Sequence, residues 1–386
     1  MKIAPLTLPP LSLYVHIPWC VRKCPYCDFN SHTAGEVLPE ADYVAALCAD
    51  LGREQHWARG RPLQSVFFGG GTPSLFSARA IGEVLDAAAR GIGFAKEVEI
   101  TLEANPGTAE MARFRDYRAA GINRLSIGVQ SFAERSLAAL GRIHCGAEAI
   151  GAMGMAREAG FERVNLDLMH GLPGQTEAEA VADLEQAIGL DPGHISWYQL
   201  TIEPNTEFYR RRPPLPPDSV VDAIGEAGAA LLGAKGYAQY EVSAYARPGQ
   251  ASRHNRNYWE FGDYIGIGAG AHGKLTDPGS HRILRTRKIR QPRGYLASAD
   301  PRAASSAIAT AELPLEFLMN ALRLNDGVPV PYFSQRTGLD CEMLERPWAA
   351  LANRGLLEPL GDRMKATPLG YRFLDTVLAS WPVAGA

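Results

Sequence analysis

The densest chemistry in the sequence lies in Trp19-Cys20-Val-Arg-Lys-Cys24-Pro-Tyr-Cys27-Asp-Phe29, where three of the chain's six cysteines fall within eight residues. Cysteines clustered this closely in a reducing compartment point to metal rather than to disulfides. The Cys-x3-Cys-x2-Cys spacing suits an iron–sulfur cluster, whose usual ligands are thiolates. Three thiolates hold three irons of a four-iron four-sulfur cubane and leave the fourth open as a Lewis acid toward a small molecule. Structural zinc is the physical alternative; it needs a fourth ligand, which His16 or His32 could supply. Cys48, Cys145 and Cys341 are scattered and are expected as small buried residues.

Other polar groups stand at the ends of apolar runs. Gly69-Gly70-Gly71-Thr72-Pro73 combines conformational freedom with exposed backbone groups that can clasp a small polar ligand, or simply make a tight turn. Glu103 in Thr-Leu-Glu-Ala-Asn-Pro, Gln130 in Ser-Ile-Gly-Val-Gln-Ser-Phe and Asp167 in Asn-Leu-Asp-Leu-Met-His are each polar amid apolar neighbours. A polar side chain pointing into a core needs a partner, either a ligand or a structural hydrogen-bond network.

These residues sit on an alternation of short strands and helices. Strands are expected at Leu13–Ile17, Ser65–Phe68, Glu97–Leu102, Arg124–Val129, Arg163–Leu168 and Ile195–Ile202. Between them lie helical patterns. Tyr43, Val44, Leu47 and Leu51 share a face in 40–56, and Thr176 with Glu179 forms a capping box before Leu184 and Ile188. Six such units in series imply an α/β fold, a partial (β/α)6 TIM-like barrel, with its chemistry on the loops that follow the strands. After the proline-rich 211–217 the chain reads differently. Two helices, a hairpin (Leu356–Leu360 with Arg363–Ala366) and a last helix capped by Thr367, with Pro368 at its first position, suggest a small winged-helix-like unit. The expected division is 1–240 for the barrel, 241–310 for a connecting region and 311–386 for the winged-helix-like unit.

Hydrophobic residues at 46%, charged residues at 21% and a net charge of -3 describe a globular chain without general affinity for nucleic acid. The expected wing and last helix lack a cationic stripe, which argues against DNA binding. No apolar run is long enough to span a bilayer, and Met1–Pro10 does not read as a secretory signal, so the expected location is the cytoplasm.

Taken together, the sequence resembles the radical S-adenosylmethionine superfamily, whose signature is the Cys-x3-Cys-x2-Cys loop. Tyr14-x-His16-Ile-Pro-Trp-Cys20 narrows the resemblance, over nearly the whole chain, to the oxygen-independent coproporphyrinogen oxidase family with its haem-chaperone branch. The resemblance implies that the amino and carboxylate groups of S-adenosylmethionine chelate the open iron, and that an electron from the cluster can cleave the molecule to a 5′-deoxyadenosyl radical. It also implies that Tyr14, Gly70 and Glu103 touch this cofactor. Gln130, Arg142 and Asp167 match positions that hold a second cofactor molecule in the oxidase, as do Tyr26, Asp28, Gly71, Thr72 and Thr201.

Two departures separate the chain from the oxidase pattern. Phe29 stands where the oxidase has a fourth cysteine, and only nineteen residues precede Cys20, where the oxidase has a longer segment. His254-Asn255-Arg256-Asn257-Tyr258-Trp259, by contrast, matches the His-Asn-x-x-Tyr-Trp motif of the chaperone branch. A histidine or tyrosine can ligate haem iron and aromatic rings can pack on the macrocycle. His254, Asn255, Tyr258 and Trp259 are therefore haem-binding candidates, with His254 the leading iron ligand and His272 and Tyr258 weaker ones. A basic cluster follows, Arg282, Arg285, Arg287, Lys288, Arg290 and Arg293. It reads as a solvated face, or as cations for haem propionates or anionic lipid. The resemblance thus implies haem delivery to acceptor haemoproteins, including respiratory ones at the inner face of the membrane. Porphyrinogen oxidation is the competing activity.

Overall fold

The computed structural model describes residues 5–381; the first four residues of the expected barrel unit and the last five of the expected C-terminal unit lie outside them. Six parallel strands form the centre: β1 (Leu11–Ile17), β2 (Leu63–Gly70), β3 (Phe94–Ala104), β4 (Arg124–Gln130), β5 (Arg163–His170) and β6 (His194–Gln199). Helices return the chain between them, among them α1 (Glu40–Glu54), α2 (Ala78–Gly91), α3 (Gly146–Glu158) and α4 (Glu177–Gly189). All six strands coincide with expected ones, although the last stops at Gln199 rather than Ile202.

Alternation along each strand divides the molecule. In β1, Leu11, Leu13, Val15 and Ile17 are sealed in the core beneath the helices, which places Ser12, Tyr14 and His16 on the opposite face. The same phase puts Glu99, Thr101 and Glu103 of β3 together, and Asn165 and Asp167 of β5. The outward phase supplies the hydrophobic stabilisation; the inward phase carries the polar groups. Tyr43, Val44, Leu47 and Leu51 of α1 are all buried, as their spacing requires, and the Thr176–Glu179 capping box forms in both directions.

Residues 241–310 are not a connector. After β7 (Ala238–Glu241) and β8 (Ala244–Ala246), which extend the sheet antiparallel beyond β6, helix α5 (Arg253–Trp259) leads to β9 (Asp263–Ile267), parallel to β1 on its free side. Antiparallel β10 (His272–Asp277), β11 (Arg282–Lys288) and β12 (Arg302–Ala307) follow, and the twelve strands run β12-β11-β10-β9-β1-β2-β3-β4-β5-β6-β8-β7. The expected boundary at 240 therefore cuts through a strand. Buried ion pairs fasten this extension. Asp263 receives Arg61 at 2.9 Å, Lys274 at 3.1 Å and the Thr276 hydroxyl at 2.8 Å. Lys288 donates to Asp50 and to Glu54 of α1.

The C-terminal unit contains α6 (Leu313–Ala321), α7 (Pro331–Thr337), α8 (Glu342–Asn353), α9 (Pro368–Arg372) and α10 (Leu374–Ala379). Thr367 caps α9 as expected, accepting the Gly370 N–H at 3.0 Å. The expected hairpin is reduced to a single bridge, Leu357 to Ala366. Glu358 N–H donates to the Lys365 carbonyl at 3.0 Å and Thr367 N–H to that of Leu356 at 3.1 Å beside that bridge, and the strand Arg363–Met364 pairs with Val328–Pro329 as well. The three scattered cysteines are half-buried rather than buried.

Candidate cofactor site

Where β1 ends, the chain turns across the C-terminal mouth of the barrel as the cysteine loop. The end of β2 is stitched to it: Gly71 N–H donates to the Ile17 carbonyl at 2.8 Å and Thr72 N–H to that of Trp19 at 2.7 Å. The contact leaves no room for side chains. A Cβ on Gly70, whose φ is 117°, would lie 2.5 Å from the His16 ring, and one on Gly71 would lie 2.5 Å from the Trp19 carbonyl. Asn30 anchors the far end of the loop, donating to Ala269 O at 2.8 Å and Arg290 O at 2.9 Å.

Cys20, Cys24 and Cys27 are half-buried and line one cavity of about 590 Å³. The same cavity takes in Tyr26, Asp28, Gly70, Gly71, Thr72, Glu103, Gln130, Arg142, Asp167 and Thr201. Residues drawn from six different strand ends are thus brought to one place. Tyr14 is not in the wall; its hydroxyl is spent on His16 Nδ1 at 2.9 Å. His16 Nε2 faces the Asn30 carbonyl at 2.9 Å, so both its ring nitrogens are engaged and it is not free for zinc. Among the described residues no group of three or more His, Cys, Asp or Glu side chains could hold a single metal ion. Three half-buried thiols on the wall of a cavity that a small molecule can enter fit a cluster with one open iron; His32, the other candidate zinc ligand, does not line that cavity. Burial pushes the Cys20 thiol up to about 11 and raises that of Cys27, so loading with metal must displace protons.

The opposite wall is acidic and tightly held. Burial, then the neighbouring Asp167, pushes the Glu103 carboxyl up to about 8, while the Gly70 N–H donates to it at 3.2 Å. Asp167 is raised by burial too, and Ser126 and Asn165 each donate to it at 2.8 Å. Arg142 is fixed between Asn105 at 2.6 Å and the Gly128 carbonyl at 2.7 Å, and its other Nη lies 3.7 Å from Cys24 Sγ. Gln130 adopts a left-handed φ of 67° and accepts the Tyr198 hydroxyl at 2.8 Å. Sequence reasoning passed over Asn105, which also donates to Thr72 at 3.0 Å, and over Tyr198 and Ser126. Their signal was present: each shares the two-residue phase or the strand-end position of a residue that was singled out.

The haem candidates are elsewhere. Helix α5 closes the opposite, N-terminal end of the barrel, where His254 N–H donates to Glu99 at 3.1 Å. The His254 ring is 6% exposed, lies 3.3 Å from the Ser65 hydroxyl and stacks on Phe67 at 4.6 Å, and burial lowers its pKa to about 3. Asn255 donates to the Tyr240 hydroxyl, Tyr258 stacks on Tyr264 at 4.1 Å, and Trp259 lies under the Arg323 guanidinium. None of the four lines the cavity; they form the barrel floor. The basic cluster is divided as well. Lys288 is buried in its ion pairs and Arg285 is held by Glu316 and Tyr264, because both are pinned against neighbouring elements. Arg282, Arg287, Arg290 and Arg293 are exposed.

Residues 14–187 match the profile of the Radical SAM superfamily, and residues 308–373 that of the HemN C-terminal domain. The heme chaperone HemW of Escherichia coli K12 is 52% identical over 96% of this chain and 98% of its own length. The chain belongs to the HemW family. The Haemophilus influenzae heme chaperone HemW is 49% identical, with 96% of this chain and 97% of that protein covered. The solved structure of coproporphyrinogen III oxidase (HemN) from Escherichia coli has a TM-score of 0.80 over 97% of this chain and 90% of its own, at 22% identity. That likeness establishes the radical SAM fold of this HemW-family chain: the partial barrel with its C-terminal helical unit.

Proposed function

We propose that this chain binds haem and delivers it to acceptor haemoproteins, with a four-iron four-sulfur cluster on Cys20, Cys24 and Cys27 and exchangeable S-adenosylmethionine in the adjoining cavity. The observation that carries the reading is end-to-end identity of 52% with a heme chaperone. Oxidase-like fold alone does not carry an oxidase assignment at 22% identity. Phe29 supports the chaperone side: it is 59% exposed at the cavity mouth, and an apolar ring there cannot do what a thiol would.

The chemistry a bound cluster supplies is one-electron reduction of the cofactor's sulfonium. The chain's own residues bind and orient. Glu103, beside the Gly70 N–H, offers a carboxylate acceptor to the cofactor's amine N–H; Arg142 sets a positive charge beside Cys24 and offers one to a carboxylate; Thr72 and Asn105 shape the wall between them. No helix among the described residues is long and apolar enough to cross a membrane. The reading places the protein in the cytoplasm, with acceptors that include membrane-associated haemoproteins.

An anaerobic pair of assays tests it. Haem titration of the reconstituted protein is expected to shift the Soret band, and coproporphyrinogen III with reductant and S-adenosylmethionine is expected to yield no protoporphyrinogen. Accumulation of protoporphyrinogen would replace the carrier reading with the oxidase one. A flat haem titration would remove the carrier reading on its own.

A further inference from the structure

Arg142 is placed by contacts on both sides of it. A Cβ on Gly141 would lie 2.9 Å from the Pro25 ring, so the chain just before Arg142 is packed against the residue that follows Cys24. Just after it, His144 Nε2 lies 3.0 Å from the Val129 carbonyl. Asn105 and the Gly128 carbonyl then take one terminal nitrogen of the guanidinium, and the other terminal nitrogen donates to Cys24 Sγ at 3.7 Å.

Both anchors of the guanidinium are neutral. A buried cation is ordinarily matched by a carboxylate. Arg142 makes no salt bridge among the described residues, and its Nε is buried without a hydrogen-bond partner. Of the acids around it, Glu110 is pushed by burial up to about 7 and gives up part of its negative charge. The charge of Arg142 is therefore left for the sulfur.

The three cysteines are not equivalent in this respect. Cys20 meets the hydroxyls of Thr72 and Ser31, and Cys27 lies 3.8 Å from the Ser31 hydroxyl. Those donors are neutral. Of the three sulfurs, Cys24 is the one that accepts a hydrogen bond from a cation among the described residues. Hydrogen bonds to the sulfurs, net charge and burial are what set the potential of an iron–sulfur cluster.

We propose that Arg142 sets the reduction potential of the cluster by donating a charge-assisted hydrogen bond to the Cys24 thiolate. This rests on the cluster assignment above. An added electron makes the cluster and its thiolates more negative, and a buried cation beside them stabilises that state more than the oxidised one. Arg142 acts through Cys24, so it is a positioning residue.

The test is a potentiometric titration of full-length protein reconstituted with iron and sulfide, without S-adenosylmethionine, followed by electron paramagnetic resonance of the reduced cluster. Arg142→Gln is expected to make reduction roughly ten-fold less favourable, a midpoint about 59 mV lower for one electron. Arg142→Lys keeps the charge and should recover part of that shift. Tyr26→Phe removes a neutral hydroxyl from Cys24 and should shift the midpoint less. A role confined to packing would lower the yield of cluster and leave the midpoint where it is. A wild-type midpoint in Arg142→Gln overturns the proposal. Should that variant retain no cluster, Asn105→Ala, which frees the guanidinium from one anchor, takes its place: a lowered midpoint supports the proposal and an unchanged one overturns it. If the wild type itself takes up no iron and sulfide, the cluster reading fails and this assignment with it.

Discussion

At the residue scale, the site is governed by how burial sets protonation. Glu103 sits at about 8 in the folded protein against an ordinary 4.5. A carboxyl whose folded pKa is raised holds its proton in the native state at pH values where the unfolded chain has released it. Its contribution to stability is therefore largest below about 4.5, declines as pH rises through the window to about 8, and is level above. For the cofactor-free protein, Glu103→Gln should flatten that decline, a difference on the order of a few kcal/mol between the two ends of the window. Urea unfolding of both proteins at acidic and mildly alkaline pH measures it; parallel pH slopes would mean that the proton is not held there. The same group predicts the cofactor's behaviour. The cofactor's positive sulfonium and its amine N–H groups favour the charged carboxylate, so binding of S-adenosylmethionine should release a proton and tighten with rising pH up to about 8. Glu103→Gln should bind it more weakly and without that pH dependence, as isothermal titration in two buffers of different ionisation enthalpy would show.

At the element scale, the strands that carry the site were legible because each has an apolar phase that must be buried, so β1 to β6 are found where alternating or continuous apolar runs stand. Glu103, Gln130 and Asp167 stood out as polar interruptions of that phase, and all three line the cavity. What was not legible depends on partners far away in sequence. Asp263–Ile267 reads locally as a glycine-rich motif, yet it is a buried strand because β1 offers it a free edge and Arg61 and Lys274 neutralise Asp263. The position of His254 likewise follows from Glu99, 155 residues before it. Asp263 thus carries a specific expectation. Asp263→Ala strands the buried Lys274 ammonium, and breaking such a pair from one side costs about 3–5 kcal/mol. Lys274→Met in the same background should recover much of the loss, because it removes the uncompensated charge. Chemical denaturation of the single and double variants decides; an undamaged single variant would show that β9 is held by its hydrogen-bond ladder alone. A smaller expectation attaches to α4, where Thr176→Ala deletes one half of the capping box and should cost about 1 kcal/mol.

At the scale of the whole molecule, two large hydrophobic clusters and a small third one, around Leu140, Met169, Leu172, Leu200 and Phe208, share the fold. One fills the space between the barrel strands and their outer helices. The second large one joins Tyr240, Ala244 and Ile283 of the sheet, with Phe261 of the turn before β9, to Phe317, Leu318, Phe333, Trp348 and Met364 of the C-terminal unit. Phe317 is at its centre, fully buried, with its ring 5.5 Å from Phe261 on one side and 5.4 Å from Phe333 on the other. A C-terminal unit tethered only by a linker would unfold on its own. This one shares its core with the strand extension that carries His272 and the exposed arginines, so its loss removes the packing behind β9 to β11. The expectation is one cooperative thermal transition for the whole chain, seen at the same temperature by far-ultraviolet circular dichroism and by tryptophan emission. Phe317→Ala should lower that single transition, at a cost of about 3–5 kcal/mol for the cavity it leaves. Two separated transitions, with only the later residues released in the first, would show that the shared cluster is a contact between independent units rather than a common core.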